Sequence, residues 1–292
     1  MRDYIIMTDS CSSLNQAEVE ELGVVDLPLS FTMEGKTYLD TPDHAGMHPE
    51  TFFKKIKEGV ECKTASVNVK QYLDAMRESL REGRDILCIC FSGALSATYN
   101  NAGIAARELR EEFPESKIIV IDSLCACRGL GMLIYRTVME RRRTNADIDT
   151  LAKFVYEQRD KQGHWFIVDD LNHLRKGGRL NAIQTIAGMV LGIRPVMHCD
   201  AEGKLTPVGK ARGAKAALKA VFKKMEETGD NVKDQKTVFI CHAACEDYVE
   251  YISDLIREKY GITDIRSDYI CPVVGAHTGC GTLGLFFVAN ER

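Results

Sequence analysis

Ile86-Leu-Cys-Ile-Cys-Phe91 runs directly into Ser92-Gly-Ala-Leu-Ser-Ala-Thr98, and a helical pattern follows from about Ala97 to Glu112, just ahead of Pro114. The first run has strand length and is continuously apolar, the mark of a strand covered on both faces. Pro114 ends the helix because the residue before a proline is pushed out of the α region. A second continuous run, Lys117-Ile-Ile-Val-Ile121, completes the unit. Strand, helix and strand in this order predict a parallel sheet with helices on both faces. Further towards the N-terminus, Tyr4–Met7 reads as a strand, Thr8-Asp9-Ser10 as a loop, Asn15–Leu22 as a helix and Val24–Leu27 as a strand. Phe31–Tyr38 predicts a small hairpin turning at Glu34-Gly35. In Pro49–Glu58 and Val69–Glu82 the apolar residues recur at three- and four-residue spacing, which predicts amphipathic helices.

The second half reads as α+β with a largely antiparallel sheet. Phe166–Val168, Ile193–His198, Leu205–Val208, Thr237–Cys241, Ile265–Tyr269 and Thr282–Val288 have strand character, and Asp200-Ala-Glu-Gly-Lys204 is a hairpin turn. Gly213–Glu227 and Glu246–Tyr260 are helical. The boundary falls after a helix ending near Gln158, giving an N-terminal α/β domain of residues 1–162 and a C-terminal α+β domain of residues 163–292. No flexible linker or internal repeat separates them, so a ligand site between the two is expected.

The 292 residues are 45% hydrophobic and 27% charged, a composition that excludes a largely disordered chain. Lys plus Arg number 38 against 42 Asp plus Glu, a net charge of -4 that argues against nucleic acid as a partner. The N-terminus lacks the long apolar region of a secretory signal. Residues 269–290 carry no Asp, Glu, Lys or Arg, but four glycines, Pro272 and His277 predict a strand, a tight loop and a second strand inside the protein. A cytoplasmic location is expected. Eleven scattered cysteines point to reduced thiols that pack in cores or loops, with no metal-binding spacing.

Four small-residue loops carry the chemistry: Thr8-Asp9-Ser10, Thr64-Ala65-Ser66, Ser92–Thr98 and Gly275–Gly281. At the carboxyl edge of a parallel sheet such loops meet helix N-termini, where N–H groups and hydroxyls hold a carboxylate or phosphate. Each alone also fits a simple helix cap. No Gly-x4-Gly-Lys-Ser/Thr phosphate loop exists, and Arg128-Gly-Leu-Gly131 lacks the third glycine of a dinucleotide motif. His277 and its neighbour Thr278 sit among glycines that allow close backbone approach, either to a ligand or within the core. Leu174-Arg-Lys-Gly-Gly-Arg179-Leu180 precedes an apolar helix, and Arg179 either points a cation into the cleft or belongs to a solvated turn. Lys210-Ala-Arg212-Gly213 offers a second basic spot.

Seven of these segments, in register from end to end, resemble the DegV family of bacterial fatty-acid-binding proteins. Thr8-Asp9-Ser10, Lys63-Thr64-Ala65-Ser66, Ser92–Tyr99, Ile121-Asp122-Ser123, Leu174–Arg179, Ile193-Arg-Pro195 and His277–Gly281 carry the likeness. Ala65, Ala97 and Cys280 depart from the family pattern, which has Ser, Gly and Pro there. The resemblance implies a long-chain fatty acid such as palmitate buried between two domains, with no other cofactor, no metal and no catalytic residue in this subunit. Thr64 and Ser96 would bond the carboxylate, helped by the 92–97 loop with Ser92 and Ala97, and Arg179, His277 and Thr278 would lie at the same headgroup. It further implies a fatty acid kinase catalytic subunit as partner, with Arg212 in an exposed loop as its contact, and transient contact with membranes. A buried C16 chain contributes about 0.8 kcal/mol per methylene, on the order of 10 kcal/mol, enough to retain the ligand without a salt bridge. Two alternatives share these residues: a lipid sensor without a kinase, and a hydrolase using Ser96, His277 and Asp9 or Asp122.

Overall fold

The computed structural model describes residues 2–180 and 192–290. The first part runs β1 (Tyr4–Asp9), α1 (Gln16–Leu22), β2 (Val25–Leu27), β3 (Leu29–Met33), β4 (Lys36–Asp40), α2 (Pro49–Lys57), β5 (Cys62–Ala65), α3 (Val69–Arg81), β6 (Asp85–Cys90), α4 (Thr98–Glu112), β7 (Ile118–Asp122), α5 (Arg128–Thr144) and α6 (Ile148–Arg159). The second runs β8 (Gln162–Ile167), α7 (Asn172–Lys176), β9 (Ile193–Cys199), β10 (Leu205–Arg212), α8 (Ala214–Thr228), β11 (Thr237–His242), α9 (Glu246–Tyr260), β12 (Asp264–Tyr269), α10 (Pro272–Thr278) and β13 (Leu283–Val288). The apolar helix expected just after Leu180 lies outside the described residues.

The expected fold class is the one observed. A parallel sheet in the order β2-β1-β6-β7 carries β1 and β6, both buried along their whole length. A six-stranded sheet, β10-β9-β8-β13-β11-β12, is antiparallel except between β11 and β12. Its strands alternate sides with the period of two. Trp165, Ile167, Leu283, Leu285 and Phe287 pack in one core cluster, while Phe166 and Phe286 join the other. That second cluster is continuous with the core around β1 and β6. The strands therefore divide at residue 162, but the apolar packing does not.

Four elements depart from the sequence pattern, one of them the short helix α7 in the basic segment before Leu180. Cys62–Ala65 is a strand, β5, that joins the β3–β4 hairpin as a third antiparallel strand. The pattern leaves Arg128–Thr144 unassigned, yet it forms the 17-residue α5. Residues 128–134 are all buried, so no polar stripe marks their helical period. The tight loop expected after Tyr269 is instead the helix α10, which opens on Pro272 at a position where a missing N–H costs nothing.

The hairpin turn is where it was expected. Glu34 and Gly35 both have positive φ, 50° and 76°, as a two-residue turn matched to the strand twist requires. Gly35→Ala is expected to cost about 1 kcal/mol through its left-handed backbone, read as a lower urea midpoint at unchanged slope. An unchanged midpoint would show that the turn is not constrained in this way.

Candidate functional site

A cavity of about 350 Å³ lies between the two sheets, within the size range of small-molecule sites. Much of its wall is apolar: Leu29, Phe91 and Leu95 come from the first half, and Phe166, Leu205, Ile270 and Phe286 from the second. The inner-face positions Thr282, Gly284 and Phe286 of the β13 region all line it, as period-two alternation dictates. Gly284 stands opposite Cys241 and Phe166 in the sheet, and an added Cβ there would lie 2.8 Å from Cys241 Sγ.

Polar groups gather at one part of this wall. Thr64 projects from β5, and its Oγ1 lies 2.9 Å from His277 Nε2 on the last turn of α10. Gly177 lets the imidazole in, since a Cβ there would sit 2.1 Å from His277 Nδ1. Arg179 donates from Nε to the Leu95 carbonyl at 3.1 Å and from Nη1 to the Gly177 carbonyl at 2.5 Å. Next to Leu95, Ser96 Oγ accepts from the Thr98 N–H at 3.3 Å and shares a 2.9 Å hydrogen bond with Thr98 Oγ1. Ala97, the N-cap of α4, offers no side-chain acceptor, so Ser96 Oγ serves the first N–H of the helix. Thr278 lines the cavity too, its hydroxyl donating to the Val274 carbonyl at 3.4 Å.

Burial pushes His277 down to about 4, and the charges of Arg179 and His173 push in the same direction. The ring is therefore neutral near pH 7. Its folded pKa lies below the ordinary 6.5, so the unfolded chain binds the extra proton as pH falls from about 6.5 to about 4, and folding stability drops across that window. Asp9 and Asp40, raised by burial to about 7, act with the opposite sign, losing stability as pH rises towards that value. The difference between the parent and His277→Gln isolates the histidine. The parent should lose on the order of 2 kcal/mol more than the variant between pH 7 and pH 4. Parallel urea curves at both pH values check this, and equal losses would sink the assignment.

The other expected site residues lie elsewhere. Ser92 is fully buried and does not line the cavity. Its hydroxyl donates to the Gly203 carbonyl at 2.9 Å and accepts from the Ala94 N–H at 3.3 Å, tying the 200–204 turn to the 92–97 loop. In the first loop, Asp9 accepts from the Cys11 and Phe91 N–H groups at 3.2 and 2.8 Å, joining the ends of β1 and β6. Asp122 holds the Gly93 and Leu124 N–H groups in the same way. Both carboxylates brace the sheet edge, and neither is hydrogen-bonded to His277, so the Ser-His-Asp arrangement is not assembled. Arg212 is exposed, but at the end of the edge strand β10 rather than in a loop. The sequence reading missed the thiols of Cys11, Cys127 and Cys241 on the cavity wall. The only signal for Cys241 was its inner-face position on β11. Among the described residues no group of three or more His, Cys, Asp or Glu could hold a metal, and no helix is long and apolar enough to cross a membrane.

A parallel sheet and a mostly antiparallel sheet closing on an apolar cavity with a polar cap define an α/β protein built round an internal chamber. The chain belongs to the DegV family: the family model described as "Uncharacterised protein, DegV family" matches residues 4–290. A DegV domain-containing protein of Clostridium perfringens is 36% identical over 100% of this chain and 99% of its own length. The structure of a DegV family protein from Thermus thermophilus, described for its fatty acid binding, superposes with a TM-score of 0.86 at 26% identity, covering 99% of this chain and 100% of that one. The fatty acid kinase B3 protein of Streptococcus pneumoniae, loaded with linoleic acid, shares the fold at a TM-score of 0.84 and 20% identity, covering 99% of this chain and 100% of that one.

Proposed function

We propose that this chain binds one long-chain fatty acid in the cavity and presents its carboxylate to a partner kinase for acyl-phosphate formation. The observation that carries the reading is the convergence of Thr64, Ser96, Arg179 and His277 on one part of a chamber whose remaining wall is mainly apolar. Hydroxyls and a guanidinium suit a carboxylate, while the apolar wall suits a hydrocarbon chain. The polar part is also the part nearest solvent, because Ala65 and Ala97 on its rim are exposed. A carboxylate held there is within reach of a second protein, and Arg212 on the edge strand is our candidate contact. We place the division into domains at residue 162, with the acid between them. The described fatty acid binding of the Thermus thermophilus relative supports the same ligand class.

Mass spectrometry of the protein purified from a bacterial host tests the ligand, first native and then after solvent extraction. A one-to-one mass excess that extracts as a fatty acid is expected. Adding a cognate kinase and ATP should then yield acyl-phosphate; a bound acid that is never phosphorylated would mark a sensor rather than a carrier. Turnover of model esters that disappears in Ser96→Ala would overturn both readings.

A further inference from the structure

Four free thiols come together from distant parts of the chain behind the cavity: Cys11 after β1, Cys127 at the head of α5, Cys241 on β11 and Cys271 ahead of α10. Cys11, Cys127 and Cys241 reach the cavity wall. Cys127 is the focus. Its Sγ lies 3.2 Å from Ser13 Oγ, with the Cys241 thiol and the Arg128 backbone and guanidinium beside it. Ser13 Oγ itself accepts from the Cys271 N–H at 3.2 Å, tying the loop after β1 to the segment ahead of α10. A hydroxyl, a second thiol and a guanidinium thus crowd one sulfur atom, surroundings that favour a thiolate. Cys127 also holds a strained backbone, φ 50° and ψ -142°. Burial alone would raise this thiol, but Cys241, Ser13 and the Arg128 backbone, with the adjacent guanidinium, outweigh it and hold it below the ordinary range. Cys241 is pushed well above that range by burial and by Cys127, so it remains the proton-bearing partner.

Both sulfurs belong to side chains that are 5% and 2% exposed, so a reagent reaches them by occupying the cavity. We propose that Cys127 and Cys241 form a two-electron redox pair whose oxidant is a hydroperoxide carried on an acyl chain in the cavity. The inference rests on the fatty-acid reading of the chamber. Cys127 Sγ attacks the terminal peroxide oxygen: an S–O bond forms, the O–O bond breaks, and the leaving alkoxide takes a proton to become the alcohol. Cys241 Sγ then attacks the sulfenic sulfur, forming the disulfide and releasing water. Two thiols are oxidised as one hydroperoxide is reduced.

The test mixes the reduced full-length protein with linoleic acid hydroperoxide and, in parallel, with hydrogen peroxide at equal concentration. Binding is followed by native mass, oxidation by intact mass and thiol titration, and the site by peptide mapping. The expected result is loss of two thiols, a 127–241 cross-linked peptide, and a rate roughly tenfold or more above that of hydrogen peroxide, since the acyl chain holds the oxidant beside the sulfur. Cys241→Ser should stop at the sulfenic acid, trapped by dimedone, and Cys62→Ser, away from the cavity, should react as the parent does. Peptide mapping of the parent protein decides the question even if a variant fails to fold. Bound hydroperoxide with unchanged thiols, oxidation scattered over other cysteines, or an equal rate with hydrogen peroxide would each overturn the proposal while leaving the chamber reading intact. Failure of the acid to bind at all would end both.

Discussion

Glu18→Gln should lower the thermal midpoint of unfolding by roughly 10 °C, the largest stability effect expected of any single conservative change in this chain. Arg128 is fully buried, and its guanidinium makes a two-point contact with Glu18, 2.6 Å from Nη2 to Oε1 and 2.9 Å from Nη1 to Oε2. Nη1 also donates to the Ser13 carbonyl at 2.8 Å, and the group lies 5.2 Å from the Phe239 ring centre. Removing one charge from such a pair strands the other in the core, at about 3–5 kcal/mol. Glu18 also closes the capping box of α1 with Asn15, a role that Gln can keep, so the substitution isolates the charge. Replacing both partners, Glu18→Leu with Arg128→Met, should recover much of the loss, because no lone charge then remains. Calorimetry of the single and double variants decides it. A drop below about 2 °C for Glu18→Gln would show that the pair does not brace the fold. The pair also anchors the head of α5, where Cys127 lines the cavity.

The second large effect is on binding. Thr64→Ala combined with Ser96→Ala should weaken a long-chain fatty acid by about 10²–10⁴-fold, from two lost hydrogen bonds to a charged group at about 1.5–3 kcal/mol each. Both side chains lie at the polar part of the wall, and the apolar lining that would hold the hydrocarbon is untouched. Thr64→Ala also removes the 2.9 Å partner of His277 and so loosens a second side chain of the proposed headgroup site. Displacement of a fluorescent fatty acid gives the affinities, and melting of the unliganded protein serves as the folding control. Unchanged affinity in a folded double variant would mean that the carboxylate is held elsewhere. A loss confined to short acids would mean that the hydrocarbon, not the headgroup, dominates.

Legibility followed the range of the interaction. The 86–91 strand, the 92–98 loop and the helix after it are visible in the sequence because a continuous apolar run, a cluster of small residues and a proline act over a few residues each. The Glu34-Gly35 turn is visible for the same reason. By contrast α5 and α10 were hidden, one because burial all round erases the helical stripe and the other because a glycine-rich apolar segment reads equally well as strand and loop. That Thr64, Ser96, Arg179 and His277 belong together was legible from short motifs whose order matches a known family, and all four line the cavity. Ser92 was misplaced because a small-residue loop does not reveal which of its hydroxyls faces inward.

The sequence by itself determined the class of sheet in each half, the three short segments that reach the cavity, and the absence of a phosphate-loop motif. Only the tertiary structure decided that Asp9 and Asp122 brace the sheet edge instead of orienting a histidine, that Arg128 and Glu18 meet in the core, and that Cys127 and Cys241 both line the cavity. Each of these rests on residues far apart in the chain. Periodicity and turn chemistry act between near neighbours and are written in spacing. Which distant side chains meet is settled by how two sheets and their helices close on one core, and no spacing along the chain encodes that.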